Sequence, residues 1–191
     1  MATKKILIAL GSPRKKGNST VLAHRVADGA RNAGADVELF YLHGMDIKPC
    51  DGCGACQKES SKGCHIKDEM QDLYPKLRQA NAWVIATPIY FFTVSAQTKL
   101  FMDRWYALLD ASKDSAFKGK RIGIILTYSA SDPFESGTIN AMRTFQDTSS
   151  YLGSHIVDIV CGSADKAGEI RSNQKLMDRA YSLGEKLCGI A

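Results

Sequence analysis

The chain has 191 residues, of which 45% are hydrophobic and 24% are charged, and its formal net charge at pH 7 is +5. This composition can bury one full core over residues 1–191 and excludes an intrinsically disordered chain. No apolar run is long enough for a membrane span or a secretory signal, and the aromatic residues do not alternate with basic ones, so we expect a cytoplasmic protein that binds neither membranes nor nucleic acid.

Apolar runs rich in β-branched residues alternate along the chain with segments of helical periodicity. The runs predict five strands, over residues 6–10, 37–42, 83–87, 122–128 and 156–161. The segments between them predict helices, one ending near Gly34 and others over 68–80, 95–109, 138–152 and 172–188. We expect Pro75 to kink the second helix or to delay its start until after Tyr74. This alternation predicts an α/β fold, a doubly wound five-stranded parallel sheet of strand order 2-1-3-4-5.

The first loop, over residues 11–20, joins the first predicted strand to the first predicted helix and carries short polar side chains beside Arg14. A helix N-terminus presents unpaired N–H groups and a dipole that favour an anion, so the loop predicts a phosphate site. Asn18 stands where a Walker A loop requires lysine, which disfavours a nucleoside triphosphatase. In the alternative interpretation, Ser19 or Thr20 only caps the helix.

Residues 43–67 form an extended loop after the second predicted strand, and they include four of the six cysteines, Cys50, Cys53, Cys56 and Cys64. The C-x2-C-x2-C spacing does not suit pairing of the thiols with one another, and in a reducing compartment it indicates a soft-metal centre. Three alternatives stay open. The first, which we favour, is a [4Fe-4S] cluster with Cys64 as the fourth ligand. The second is a zinc site, although such sites usually use two separated cysteine pairs. The third is a loop of free thiols without a metal.

Other candidate ligands have simpler interpretations. We expect His65 to be a bystander beside Cys64, and Asp68 to cap the following helix. Cys161 and Cys188 lie in an apolar strand and helix, which predicts buried structural thiols.

The third predicted strand ends in an aromatic turn over residues 88–92. In a doubly wound sheet the first and third strands lie side by side at the switch point, where ligands bind. A phosphate loop next to an aromatic shelf suits flavin mononucleotide (FMN). The alternative for Tyr90, Phe91 and Phe92 is packing in the core or at a dimer interface.

Three motifs together resemble the NADPH-dependent FMN reductase superfamily, and within it most closely the iron-sulfur flavoprotein family. They are Gly11-Ser12-Pro13-Arg14 with Gly17-Asn18-Ser19, the cysteine run over 48–56, and Pro88-Ile89-Tyr90 followed by Lys99, Asp103 and Arg104. The resemblance implies a flavodoxin-like fold in which the FMN phosphate contacts Ser12, Arg14, Asn18, Ser19 and Thr20. It implies ring contacts from Pro88, Ile89, Tyr90 and Phe91, and further contacts from Tyr128 or Ser129 after the fourth strand.

The resemblance also implies that Asp103 and Arg104 fix the turn over 88–92 or a subunit contact, the alternative being an exposed ion pair. The implied activity is that of an FMN-dependent oxidoreductase, in which the cofactor performs the chemistry and no side-chain nucleophile is needed. In the leading hypothesis a ferredoxin-like donor, a [4Fe-4S] cluster and FMN exchange electrons with a small-molecule or protein acceptor, in a homodimer or homotetramer. The alternatives are a cluster-free NAD(P)H-dependent FMN or quinone reductase, and a flavodoxin-like binding protein with a zinc-stabilised loop.

Overall fold

The computed structural model describes residues 3–58, 60–109 and 115–189, and it shows a parallel β-sheet with α-helices on both faces. The strands are β1 (Lys5–Leu10), β2 (Asp36–Tyr41), β3 (Ala82–Tyr90), β4 (Thr93–Val94), β5 (Arg121–Tyr128) and β6 (His155–Ser163). The helices are α1 (Asn18–Asn32), α2 (Met70–Gln79), α3 (Ala96–Asp103), α4 (Thr138–Leu152) and α5 (Gln174–Leu187). Parts of the predicted domain over 1–191 and of the loop over 43–67 lie outside the described residues, namely 1, 2, 59, 110–114, 190 and 191.

The parallel part of the sheet has the strand order β2-β1-β3-β5-β6. These strands correspond in sequence to the five predicted ones, and the predicted doubly wound α/β fold is confirmed. The additional strand β4 pairs antiparallel with the end of β3, through Ile89 with Val94 and Tyr90 with Thr93. A strand of two residues has no periodicity of its own, which is why the sequence does not predict it.

The sheet has a hydrophobic core on each face. Ile6, Ile8 and Leu10 of β1 pack towards α1 and α5, while Leu7 and Ala9 pack towards the face that carries α2, α3 and α4. This alternation follows from the two-residue repeat of a strand. Within the described part of the chain, no helix is both long enough and apolar enough to cross a bilayer.

Two predicted helices differ from the structure. The helix predicted over 95–109 is wrong in its second half, because α3 ends at Asp103 and a 3-10 helix, Arg104–Leu108, follows. Side chains three residues apart align in a 3-10 helix, and this places both Trp105 and Leu108 in the core. The late start predicted for α2 is also wrong, since α2 begins at Met70 and continues through Pro75. Pro75 is the sixth residue of α2 and has no N–H to donate to the Gln71 carbonyl, so the helix continues at the cost of that one backbone hydrogen bond.

Candidate cofactor site and cysteine loop

An open cavity of about 200 Å³ lies where β1, β3 and β5 end. Its lining comes from four loops and consists of Ser12, Arg14, Gly17, Asn18, Ser19, Pro88, Ile89, Tyr90, Thr127, Tyr128, Ser129, Ala164 and Asp165. The structure therefore brings together all the predicted cofactor residues except Thr20 and Phe91. Sequence reasoning missed Thr127, Ala164 and Asp165. Ala164 and Asp165 directly follow β6, whose carboxyl end reaches the same sheet edge as those of β1, β3 and β5. Their position after a predicted strand could therefore have identified them as candidates.

The N-terminus of α1 forms one end of this cavity and presents unsatisfied donors. Gly17 precedes the helix and has no side chain to cap it, and the first turn contains no acidic residue. Ser19 is 1% exposed, and its hydroxyl has no hydrogen-bond partner among the described residues. The alternative interpretation required Ser19 or Thr20 to cap the helix, and the Ser19 hydroxyl does not do so. Unpaired N–H groups, a free buried hydroxyl and the helix dipole fit a phosphate group.

Close contacts hold the loop before α1 in its shape. The Ser12 hydroxyl accepts a hydrogen bond from Arg14 N at 3.1 Å, and the Thr20 hydroxyl donates to the Arg14 carbonyl at 3.4 Å. A Cβ atom on Gly17 would lie only 2.6 Å from Ser12 Oγ. Thr20 thus supports the loop by a hydrogen bond and does not line the cavity, whereas Arg14 is exposed and lines it.

Asn18 joins this loop to the segment after β6. Its side-chain Nδ2 donates to the carbonyls of Ala164 at 3.1 Å and Lys166 at 3.0 Å, and its Oδ1 accepts from Ile170 N at 3.3 Å. These bonds occupy the side-chain amide. Asn18 therefore positions the wall that contains Ala164 and Asp165, and its side chain is committed to the protein.

A buried polar network connects the ends of β1 and β3 beneath the cavity. The Ser95 hydroxyl donates to the Gly11 carbonyl at 2.7 Å, and Ser95 N donates to the Thr87 hydroxyl at 3.1 Å. Gly11 N donates in turn to the Ala86 carbonyl at 2.8 Å. A Cβ atom on Gly11 would lie 2.0 Å from Thr98 Oγ1, so only glycine allows this approach. The network sets the relative position of the phosphate loop and the aromatic turn.

The aromatic turn is a tight two-residue hairpin between β3 and β4. Phe91 and Phe92 have φ values of 45° and 66°, which non-glycine residues rarely adopt and which store strain. Phe92 packs against Gly137, and its carbonyl accepts a hydrogen bond from Asn140 Nδ2 at 3.2 Å. Phe91 is 95% exposed. Tyr90 thus borders the cavity, as predicted for the aromatic shelf, whereas Phe91 projects into solvent beside it and is not packed in the core.

The cysteine loop connects β2 to α2. Cys50 and Cys53 are exposed, whereas Cys56 and Cys64 are half-buried and pack against the core on the α2 face. Cys161 and Cys188, predicted to be buried, are half-buried against the core. All six cysteines lie within the described residues, and all are free thiols.

Arg104 anchors this loop from the core and is only 2% exposed. Its guanidinium forms an ion pair with both carboxylate oxygens of Asp68, with Nη2 donating to Oδ1 at 3.2 Å and Nη1 to Oδ2. Nη1 also donates to the Lys48 carbonyl at 2.8 Å. Asp103 pairs separately with Lys99 at 2.6 Å on the surface. The alternative of an exposed pair of Asp103 and Arg104 is therefore wrong for Arg104, because this side chain is buried and pairs with Asp68.

Asp68 joins the two ends of the loop. Its Oδ2 accepts a hydrogen bond from Lys48 N at 2.9 Å, and its Oδ1 accepts one from Met70 N, the first residue of α2, at 3.1 Å. The predicted cap position is therefore wrong by one residue: Glu69 is the N-cap residue and its side chain makes no capping bond, while Asp68 bonds to the helix start from the preceding position. Burial raises the pKa of the Asp68 carboxyl, but hydrogen bonds from Arg104 and Lys48 lower it more. The net pKa lies below its ordinary value, so the carboxylate form is favoured.

His65 is not an isolated bystander. Its Nε2 lies 2.7 Å from Asp51 Oδ2, and Asp51 Oδ1 accepts a hydrogen bond from Cys53 N at 3.2 Å. Among the histidine, cysteine, aspartate and glutamate side chains that the structure describes, Asp51, Cys53 and His65 form the one group of three whose ligand atoms lie within 4.8 Å of one another. No three of the four loop sulfurs are that close. Four thiolates on one zinc ion would lie roughly 3.8 Å apart, as Zn–S bonds of about 2.3 Å require.

The sequence pattern that defines the NADPH-dependent FMN reductase family matches residues 4–169 of this chain. Among curated proteins, an iron-sulfur flavoprotein of Archaeoglobus fulgidus is 42% identical over 110 residues, which are 58% of this chain and 54% of that relative. The aligned segment spans about half the length of the iron-sulfur flavoproteins that the chain matches.

A second kind of relative matches over nearly its whole length. The Bacillus subtilis protein YwqN, whose name describes a candidate NAD(P)H-dependent FMN-containing oxidoreductase, is 25% identical over 182 residues, covering 94% of this chain and 96% of that protein. Among solved structures, an NAD(P)H:quinone oxidoreductase from Methanothermobacter marburgensis superposes with a TM-score of 0.78 at 17% identity, covering 97% of this chain and 96% of that one. At this identity the likeness supports the fold alone.

Proposed function

The chain belongs to the NADPH-dependent FMN reductase family, and on that premise we propose that it is an FMN-dependent oxidoreductase that also carries a [4Fe-4S] cluster. When bound, FMN and the cluster supply electron transfer between a ferredoxin-like donor and an acceptor, chemistry that suits a reducing cytoplasm. The protein binds and orients both groups. The observation that carries the proposal is the unpartnered, buried Ser19 hydroxyl at the uncapped start of α1, inside a cavity lined by four loops.

The cavity suits FMN at both of its ends. The start of α1 supplies the Ser19 hydroxyl and the helix N–H groups for the phosphate, and Arg14 adds a cation at the mouth. Pro88, Ile89 and Tyr90 at the end of β3, with Tyr128 and Ser129 at and just after the end of the neighbouring strand β5, line the rest of the cavity, where a flat ring can be held. We assign Ser12 and Asn18 to the support of this site, since the Ser12 hydroxyl bonds to Arg14 within its own loop and the Asn18 amide bonds to the segment after β6.

The cysteine loop suits a cluster better than zinc. Cys50, Cys53, Cys56 and Cys64 supply four free thiols, the donor set of a [4Fe-4S] cluster. Structural zinc sites usually use two separated cysteine pairs, whereas three of these four cysteines lie in one short C-x2-C-x2-C run, as in iron-sulfur proteins. The loop also begins and ends on the buried Arg104 and Asp68 pair, so it does not depend on a metal for its attachment to the core.

The second candidate function is an NAD(P)H-dependent FMN or quinone reductase without a cluster. The observation that favours it is the match to YwqN, which covers nearly the whole chain, whereas the iron-sulfur flavoproteins match only over a part of it. In this case a nicotinamide would reach FMN through the open mouth of the cavity, and the cysteines would be free thiols.

Anaerobic purification followed by absorption spectroscopy and by iron, sulfide and zinc analysis separates these functions. The cluster proposal expects flavin bands together with about four irons and four sulfides per chain. Flavin without iron, with rapid NADPH oxidation, would support the second candidate instead. Stoichiometric zinc without flavin would contradict both.

Replacing Arg14 by alanine is expected to weaken FMN binding by at least about tenfold, because a charge-assisted hydrogen bond contributes about 1.5–3 kcal/mol. The free energy of unfolding should change by less than about 0.5 kcal/mol, since the side chain is exposed. Fluorescence titration of the flavin-free protein with FMN measures the affinity. Arg143→Ala, at an exposed arginine of α4, is the control and should leave the affinity unchanged. Equal affinities for the two variants would contradict the phosphate assignment.

Replacing Phe91 by asparagine is expected to stabilise the flavin-free protein by about 0.5–1 kcal/mol, because asparagine tolerates a positive φ at this turn position. FMN binding should weaken several-fold, since an exposed aromatic side chain beside the cavity is lost. Urea unfolding and FMN titration measure the two effects. Phe134→Asn, at a 78% exposed phenylalanine with an ordinary φ, should change neither quantity. A destabilised Phe91 variant with unchanged FMN affinity would show that the strain does not serve the cofactor.

A further inference from the structure

Arg104 directs its hydrogen bonds to both ends of the cysteine loop. The Lys48 carbonyl, 2.8 Å from Nη1, lies two residues before Cys50, and Asp68 lies four residues after Cys64. The side chains of Arg104 and Asp68 are 1% and 0% exposed. A buried pair of this kind loses several kcal/mol of hydration, so its presence is weak evidence for a stabilising role alone.

A further donor of the same guanidinium is directed at a sulfur atom. Arg104 Nη2 lies 3.4 Å from Cys64 Sγ, within hydrogen-bonding range for sulfur. Arginine stays protonated at all accessible pH values, and its planar fork can bind Asp68 and Cys64 at the same time. Because the guanidinium is buried, its interaction with a negatively charged sulfur is stronger than it would be in water.

Cys64 differs in this respect from the other thiols of the loop. Cys50 and Cys53 are exposed, and Cys56 receives a long contact of 3.7 Å from the neutral amide of Gln57. In the described part of the loop, Cys64 is the cysteine with a hydrogen bond from a cationic side chain. The environment of the four sulfurs is therefore asymmetric.

We propose that Arg104 is a positioning residue for Cys64, which holds this sulfur in place as the fourth ligand and stabilises the reduced form of the centre bound there. The inference rests on the proposed [4Fe-4S] cluster. The reduced centre carries one more negative charge than the oxidised one. Reduction is favoured by the hydrogen bond from Arg104 to the ligand sulfur and by the ion pair with Asp68, whose positive partner contacts that sulfur.

The test uses the double variant Arg104→Gln/Asp68→Asn, purified anaerobically with its cofactors. It replaces the ion pair by neutral amides and leaves no unpaired buried charge. Iron and FMN contents should stay at wild-type levels, while the midpoint potential, followed by electron paramagnetic resonance during reductive titration, should fall. A tenfold change in relative affinity corresponds to about 59 mV for a one-electron couple, and we expect a shift of about this size.

The matched control is Arg179→Gln/Asp158→Asn. It neutralises another arginine–aspartate pair, in which Nη2 lies 2.6 Å from Oδ1, between α5 and β6. It should leave the potential unchanged. The single variant Arg104→Lys, which keeps the charge but loses the fork, should recover part of the shift. A double variant at Arg104 and Asp68 with full iron content and the wild-type potential would overturn the proposal.

A second measurement separates this inference from the proposed function. Wild-type protein that contains FMN but no iron would overturn the cluster proposal, and Arg104 is then tested by titrating the metal-free protein with Co²⁺. The Co²⁺–thiolate charge-transfer absorption reports binding to the cysteines. We expect about tenfold weaker Co²⁺ binding in the Arg104→Gln/Asp68→Asn variant. Equal affinities, or no Co²⁺ binding by the wild-type protein, would overturn the role of Arg104.

Discussion

Replacing Cys53 by alanine is expected to reduce the iron and sulfide contents of the anaerobically purified protein to background while FMN stays bound at the wild-type ratio. Cys53 is the central residue of the C-x2-C-x2-C run, and without it one iron atom lacks a protein ligand at an exposed position. The flavin should remain because the cavity lining contains none of the four cysteines. Iron and sulfide analysis together with the flavin absorption spectrum measures both outcomes.

Two further variants make this experiment specific. Cys188→Ala removes a half-buried thiol outside the loop and should leave the iron content unchanged. His65→Ala should also retain iron if the four thiols form the complete ligand set, although His65 and Asp51 lie close to Cys53. Loss of iron in the His65 variant, or full iron in the Cys53 variant, would contradict the ligand assignment.

Replacing Asp68 by asparagine is expected to lower the free energy of unfolding by about 3–5 kcal/mol. The substitution leaves the Arg104 guanidinium buried without a counter-charge, and this unpaired charge destabilises the folded state. Urea unfolding of the metal-free protein measures the change. Asp147→Asn, in the exposed pair with Arg143, should cost less than about 1 kcal/mol. Similar losses in the two variants would show that the Asp68 pair is not effectively buried.

The same pair predicts a pH dependence with a defined sign. The pKa of Asp68 in the folded protein lies below the ordinary value of 3.8, so the unfolded chain binds its proton more readily. The stabilisation from Asp68 is therefore fully present above about pH 4 and is lost as the pH falls through the folded-state pKa. Asparagine does not titrate, so the stability difference between the wild-type protein and Asp68→Asn should shrink below pH 4. A difference that stays constant with pH would contradict this origin.

The proposed site could be predicted well where its residues belong to a local pattern. Arg14 lies in the loop between the buried strand β1 and the helix α1, and Ser19 lies in the first turn of that helix. A loop in this position lies at the carboxyl edge of the sheet. Asn18 belongs to the same segment, but its side chain donates hydrogen bonds to residues after β6. Its role in joining the two segments was therefore not predictable from the sequence. Phe91 lies next to Tyr90 in sequence but not in the cavity, because the two-residue turn to β4 directs it outward.

The sequence by itself determined the doubly wound sheet, the polar loop at the start of α1 where we propose that a phosphate binds, and the presence of a thiol-rich loop, since each depends on periodicity or spacing within a short segment. The tertiary structure alone decided how these parts are joined. Arg104 reaches Asp68 and Cys64 across 36 and 40 residues, and Asn18 reaches Ala164 across 146. Such contacts depend on which side chains the packed core brings together, and a buried charge must find its partners there because water is excluded. The same core therefore anchors the cysteine loop and sets the environment of its fourth thiol.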